Sequence, residues 1–201
     1  MGVAIRRAGE ADREAVNTLL DEGFHHDPVS SWVLPDEEHR RTTHRVLMGA
    51  FLHMALTEGY VDVTEDGSAC ALWMSVPAGA HGDPDGPARF REAVDPGNER
   101  VELIARLTDA LHPKDRAHEY LMFVAVKQDL RSQGVGTALI VNVLDRCDRE
   151  GPPAYLEASS ARSRGLYERL GFTFLGTPVE LPGGPHMYPM WREPRGAAAK
   201  S

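Results

Sequence analysis

Tyr120-Leu121-Met122-Phe123-Val124-Ala125-Val126 leads through Lys127-Gln128-Asp129-Leu130 into Arg131-Ser132-Gln133-Gly134-Val135-Gly136-Thr137. The first seven residues are a nearly unbroken apolar run, the length of a strand buried on both faces. From Gly134 to Glu150, Leu139, Val143 and Cys147 fall in helical step, with Ile140 and Leu144 beside them. A buried strand therefore hands over to a helix through two glycines. A helix start leaves unpaired N–H groups and a positive dipole end, which together bind phosphate. Glycine lets the backbone come close to a ligand, and Arg131 adds planar donors with a fixed charge. A glycine-rich turn with no ligand is the plain alternative at such a junction.

Two other phosphate loops fit less well. A P-loop needs Gly-Lys-Ser/Thr, and Gly136 is followed by Thr137 with no lysine between. A dinucleotide fingerprint needs a third small residue where Leu139 stands, although Glu157 lies where a ribose-binding acid would. Pro152 and Pro153 stop the helix, and Ala154–Ala158 reads as the next strand. The unit from Tyr120 to Ala158 is thus a βαβ crossover whose strands are parallel neighbours.

Upstream, Ala4–Arg6 reads as a short strand and Glu10–Glu22 as an amphipathic helix on Val16, Leu19 and Leu20, ended or loosened by Gly23. Phe24–Pro35 reads as a connector and Glu37–Glu58 as a long helix. Tyr60–Val63 and Ala69–Val76 form a hairpin about Glu65-Asp66-Gly67. After a Gly/Pro/Asp loop at 78–86, Pro87–Val94 and Asn98–Leu111 read as helices. Downstream come a short helix at Arg162–Leu170, a strand at Gly171–Leu175, a turn at Pro182–Pro185 and a last strand at His186–Trp191. The order gives a mixed α/β sheet in one domain, residues 1–195, with 196–201 expected to fray.

The 201 residues are 42% hydrophobic and 26% charged, with a formal net charge of −8. Acidic surfaces repel phosphate backbones, so nucleic acid is not the expected partner, whereas a cationic amine suits an acidic cleft. No apolar run approaches the length of a membrane span, and Met1–Arg7 has no apolar signal stretch. The lipidation pattern fails at Arg6. Cys70 and Cys147 sit in apolar runs as small core residues, and a reducing cytoplasm fits them. His25-His26-Asp27 has no distant partner in view, and adjacent histidines point different ways. It reads as a surface or substrate-lining cluster, so no metal is expected.

Val126-x-x-x-x-Arg131-x-x-Gly134-x-Gly136 resembles the acyl-CoA signature of the GNAT superfamily of N-acetyltransferases. Leu166-Tyr167-Glu168-Arg169-Leu170-Gly171-Phe172 resembles its second hallmark, and the two stand in the right order. Within the superfamily the chain resembles most the puromycin N-acetyltransferase group. That likeness rests on His112-Pro113-Lys114, Pro153-Ala154-Tyr155-Leu156-Glu157 and Gly184-Pro185-His186 with Met190, and Ala71-Leu72-Trp73 and Phe24-x-x-Asp27-Pro28 extend it into the first half. Gln128, Ser132, Ser160 and Ser163 depart from the Pro, Gly and Asn often found there.

The resemblance implies a mostly antiparallel central sheet with flanking helices and a parallel, splayed strand pair at the acyl-CoA site. It implies acetyl-CoA as cosubstrate, held by the Val124-Ala125-Val126 backbone, by Arg131, Ser132, Gln133, Gly134, Val135, Gly136 and Thr137, and by Ser160, Ser163 and Tyr167. Val126 is then the favoured donor to the acetyl carbonyl and Tyr167 the acid for the thiolate. Glu119 ranks first as base and Asp27 second, with His118 and Glu119 on opposite strand faces. Trp32, Phe51, Tyr60 and Trp73 are first of all core candidates, with the wall of an acceptor pocket as the second reading. The implied reaction is acetyl transfer to a primary amine of a small molecule, an antibiotic or an amino-acid-like metabolite. A CoA-binding module without turnover, a protein or peptide N-acetyltransferase and a nicotinamide-dependent enzyme stay as alternatives, and a homodimer stays open beside a monomer.

Overall fold

The computed structural model describes residues 3–196. Residues 197–201, most of the expected fraying tail, lie outside them. In chain order the elements are β1 (Ile5–Arg7), α1 (Arg13–Phe24), α2 (Pro28–Val33), α3 (Glu37–Glu58), β2 (Tyr60–Thr64) and β3 (Ala69–Val76). Then come α4 (Gly86–Val94), α5 (Glu99–Leu111), β4 (His118–Val126), α6 (Val135–Glu150) and β5 (Ala154–Ala158). The chain closes with α7 (Ala161–Arg169), β6 (Thr173–Phe174), β7 (Val179–Glu180) and β8 (His186–Arg192).

The strands form one sheet in the order β1-β2-β3-β4-β5-β8-β6, with β7 also paired to β8. Every neighbouring pair is antiparallel except β4 and β5. This is the mixed α/β GNAT fold in a single domain. Both faces of the sheet are covered, as the long apolar strands require. Along β3, Cys70 and Leu72 face one core with Leu20 of α1 and Leu47, Met48 and Leu52 of α3. Ala69, Ala71 and Trp73 face the other, filled by Leu139, Ile140, Val143, Leu144 and Cys147 of α6. Cys70 and Cys147 are both buried free thiols.

The structure departs from the sequence reading in five places. The connector 24–35 contains the six-residue helix α2, with Pro28 in its first turn and the Asp27 side chain accepting from Val29 N at 2.8 Å. Six residues are too few for a period to show, but Asp-Pro is a helix start. Gly23 does not end α1 but lies within it, where an added Cβ would stand 3.2 Å from the Cβ of Ala125. Its hydrogen side chain lets α1 cross β4 closely. β4 begins two residues earlier than its apolar run, at His118. The strand expected at Gly171–Leu175 shrinks to Thr173–Phe174, and β7 is an extra two-residue strand.

Gly59 ends α3 under β3, where a Cβ would collide with the Trp73 carbonyl and the Met74 sulfur. Backbone cannot yield as a flexible side chain would. Gly59→Ala is therefore expected to destabilise the fold by about 1–3 kcal/mol, measured as a fall in the urea midpoint at unchanged slope.

Candidate active site

β4 and β5 pair only over Glu119–Leu121 against Ala154–Leu156, and then they part. The ladder between β3 and β4 shifts at the same height: Leu72 pairs with Phe123 but Trp73 with Leu121, leaving Met122 as an extra residue. Such a bulge bends and twists its strand. Met122 and Phe123 consequently both pack into the α1–α3 core instead of alternating. Past the bulge, Lys127 N donates to Ser68 O at 2.9 Å, on the β3 side. Alternation then turns the amides of Val124 and Val126 away from β3 and into the gap that β5 has left.

The loop that follows is built around two left-handed residues, Ser132 at φ 64° and Gly134 at φ 85°. For Ser132 that conformation costs about 1–2 kcal/mol, so the surrounding structure holds it there. Gly134 is the N-cap of α6 and offers no side-chain cap. The amides of Val135, Gly136 and Thr137 thus point outward from a helix start without helical partners. Gly136 lies against the strand: an added Cβ would stand 3.1 Å from Cγ2 of Val126. Arg131 reaches back to the carbonyls of Val126, at 3.4 Å, and Gly23, at 3.3 Å. Beside it opens a cleft of about 500 Å³ whose lining includes Gly23, His25, His26, Val126, Gln128 and Arg131.

At the far side of the gap, Ser160 and Ser163 form the capping box of α7. Ser160 Oγ accepts from Ser163 N at 3.1 Å, and Ser163 Oγ accepts from Ser160 N at 3.1 Å. Both hydroxyls are thereby engaged in starting the helix. Tyr167, further along α7, is 8% exposed and packs edge-on against Phe172. Burial pushes its phenol up to about 12.

The two carboxylates ranked as bases stand on opposite sides of the sheet. Glu119 lies on the α6 face, where Oε2 accepts from the Tyr60 hydroxyl at 2.5 Å and sits 3.2 Å from Arg146. Its Oε1 accepts from Ser75 Oγ at 3.0 Å. Arg146 also donates to the Tyr60 hydroxyl and covers the Tyr60 ring. Asp27 caps α2 and accepts from Ser159 Oγ at 3.1 Å, just beyond the end of β5. Burial raises its carboxyl above the ordinary value, against the hydrogen bonds from Val29 and Ser159. The proposed aromatic walls are largely core: Trp73 is fully buried, and Phe51 packs on Phe90 and Phe123. Trp32 donates to Pro182 O at 3.0 Å and backs onto Gly184.

His25 does find partners that the sequence could not show. Donor atoms of Asp21, His25 and His44 lie within 4.8 Å of one another. His44 is fully buried, with Nδ1 2.6 Å from Asp21 Oδ1 and Nε2 3.1 Å from Ser30 Oγ. Both its ring nitrogens are thus satisfied by the protein itself. A second polar group, overlooked in the sequence, joins His112, His118, Tyr120, Tyr155 and Glu157 between α5, β4 and β5. The available signal was alternation: His118 with Tyr120, and Tyr155 with Glu157, each two apart in a buried strand.

Burial lowers His44 below its ordinary value of 6.5. The unfolded chain therefore takes up this proton first as the pH falls, and the stability His44 contributes above 6.5 is lost on descending through its folded value. The melting temperature is expected to drop between about pH 7 and 5, and less steeply in His44→Asn; equal slopes in the two proteins would contradict this.

Residues 110–192 match the family model described as acetyltransferase (GNAT) domain. An uncharacterized N-acetyltransferase of Schizosaccharomyces pombe is 27% identical over 187 residues, covering 86% of this chain and 75% of that one. Among solved structures, a Corynebacterium glutamicum protein described as histone acetyltransferase HPA2 and related acetyltransferase is 28% identical. The match covers 99% of this chain and all of that one, at a TM-score of 0.73. Arylalkylamine N-acetyltransferase 2 of Aedes aegypti shares the fold at a TM-score of 0.72 and 14% identity, over 96% of this chain and 99% of that one. The matched segment spans the forked strands, the left-handed loop and α7, and together with the GNAT fold it indicates an acetyltransferase.

Proposed function

We propose that this chain transfers the acetyl group of acetyl-CoA to a primary amine of a small molecule, by direct attack within a ternary complex. The observation that carries the reading is the meeting of the β4–β5 gap with the loop at the start of α6. The gap offers strand amides to a thioester and its linear pantetheine amides. The loop offers helix-start amides, Arg131 and a left-handed turn to a pyrophosphate. Val124, Ala125 and Val126 supply the strand backbone, and the Val126 amide donates to the carbonyl oxygen as charge gathers there. Ser132, Gln133, Gly134, Val135, Gly136 and Thr137 form the phosphate cradle. Ser160 and Ser163 contribute at the opposite wall through α7, which they start.

Tyr167 is assigned as the proton donor to the departing thiolate. With its phenol at about 12, handing a proton to a free thiolate of ordinary pKa would be uphill by about 5 kcal/mol. The transfer therefore belongs to a dry site, where the thiolate is desolvated too and the proton moves as the C–S bond breaks. We take Asp27, whose raised carboxyl lies just beyond the end of β5, to stand beside the incoming amine, a reading that its contact with Ser159 supports. Glu119 serves the acceptor side only through the network it anchors with Tyr60 and Arg146.

The likeness to the puromycin N-acetyltransferase group supports an antibiotic or amino-acid-like acceptor. The relative described as a histone acetyltransferase keeps a peptide amine as the second substrate class, and the net charge of −8 suits a basic acceptor of either kind. The two free, buried cysteines fit a reducing compartment, and the reading includes the cytoplasm. A screen for thiol release from acetyl-CoA over nucleoside amines, amino acids and basic peptides tests the proposal. Tight CoA binding without release for any amine would favour a binding module instead, a reading that the engaged hydroxyls of Ser160 and Ser163 support.

Tyr167→Phe is expected to lower kcat by roughly 10²-fold or more while the Kd for CoA, by calorimetry, changes little. An unchanged kcat would remove Tyr167 as the acid. Gly134→Val meets open space but would force a β-branched residue to hold φ 85° at the helix start. CoA binding should be lost through collapse of the cradle, and an unaltered Kd would contradict the loop assignment.

A further inference from the structure

Along β5, Ala154, Leu156 and Ala158 face the α6 core, so Tyr155 and Glu157 face the other way. His118 and Tyr120 of β4 share that second face, where their rings pack with Tyr155. Leu156 is the last β5 residue paired with β4, which puts Glu157 at the vertex of the fork. His112, the residue after α5, closes the cluster with its ring 4.5 Å from Tyr155, 4.9 Å from Tyr120 and 5.0 Å from His118.

The hydrogen positions here follow from what each neighbour can accept. His118 Nδ1 is 2.8 Å from the carbonyl of Arg116, which only accepts, so Nδ1 carries the hydrogen. Burial lowers His118 and keeps the ring neutral, so its Nε2 holds a lone pair. His112 Nε2 stands 2.9 Å from that lone pair and must donate to it. A neutral His112 then has its own lone pair on Nδ1, and Nδ1 lies 3.9 Å from Glu157 Oε1. Two acceptors face each other across a distance too long for a direct bond. The Glu157 side chain is only 3% exposed, and Tyr155 donates to the same oxygen at 2.8 Å. Among the described residues no Arg or Lys pairs with Glu157; Lys114 pairs with Asp109 and Arg116 with Glu193. A buried carboxylate without a cation, held by the hydroxyls of Tyr155 and Tyr120 and opposite a bare imidazole nitrogen, is a place that draws an ammonium and takes its proton.

We propose that His112 and Glu157, with His118 fixing the tautomer, are the proton acceptor for the amine substrate, which enters as an ammonium. This rests on the acetyl-transfer reading above. The ammonium gives one proton to His112 Nδ1, and the resulting imidazolium pairs with Glu157. The neutral amine attacks the thioester carbon, a C–N bond forms and the C–S bond breaks. With the tetrahedral collapse Tyr167 gives its proton to the departing thiolate, and the second amine proton passes to Tyr167 and restores its phenol. The imidazolium then releases its proton to solvent. One ammonium and one acetyl thioester thus give one amide, one thiol and one free proton.

The test uses the full chain with an amine that it acetylates, following kcat/KM from about pH 6 to 10, with CoA affinity and melting temperature measured alongside. Glu157→Gln and His112→Gln should each lower kcat/KM by roughly 10²–10⁴-fold near neutral pH. The deficit should shrink as the pH nears that of the amine itself, because the substrate then arrives neutral; CoA affinity should stay within about twofold. A loss equal at every pH, or no loss, would overturn the proposal, since a merely structural role predicts no rescue at high pH. If both variants fail to fold, nitrogen NMR of the wild-type imidazoles decides: a hydrogen on His118 Nε2 would overturn the assignment and one on Nδ1 would support it. A wild-type protein that binds CoA but acetylates no amine would sink the parent reading, and this one with it. Turnover by wild type with unchanged variants sinks this one alone.

Discussion

Two neighbouring strands that stop sharing hydrogen bonds are the constraint from which the rest of the site follows. β4 and β5 agree for three residue pairs and then separate at the Met122 bulge. Buried backbone groups cannot be left bare without cost, so the amides beyond the fork need another partner. The neighbouring elements keep the fork from closing. Gly23 allows α1 to lie on Ala125, Gly136 brings α6 up to Val126, and the two faces of β3 fill with separate cores.

The sheet also separates two kinds of buried charge. On the α6 face, Glu119 has its countercharge in Arg146 and hydrogen bonds from Tyr60 and Ser75. It is satisfied within the protein, and such groups hold a core in register. On the other face, Glu157 has tyrosines and imidazoles but no permanent cation among the described residues. Similar residue types a few ångströms of sheet apart thus differ in whether their electrostatics are complete. Incompleteness of that sort is how a substrate finds its place.

How far the sequence carries this reading depends on where the informative residues sit. The apolar run of β4, the step of α6 and the Tyr167-to-Phe172 stretch are local patterns, and each stands where its spacing implied. The connector 24–35 hid α2 because one and a half turns show no period, and its stabilising contacts, such as Trp32 to Pro182, come from far along the chain. Gly23 looked like a helix end because a glycine's reason for being there can be a strand crossing overhead, and crossings are not written locally. Asp21 with His44, and His112 with Glu157, are 23 and 45 positions apart and meet only through packing. Bulges are equally silent: nothing in Met122 itself says that it is the residue without an opposite number.

The outer margins of the sheet make a last point. At one side stands β1, three residues long; at the other, β6 and β7 flank β8 with two residues each. Margins this short give a second molecule few backbone groups to zip onto. The longest stretch of unmatched strand lies in the middle of the sheet, between helices over both faces, where a slender cosubstrate can enter and another sheet cannot. An unfilled strand edge is ordinarily an invitation to aggregate. Moving it inward keeps the recognition and removes the hazard.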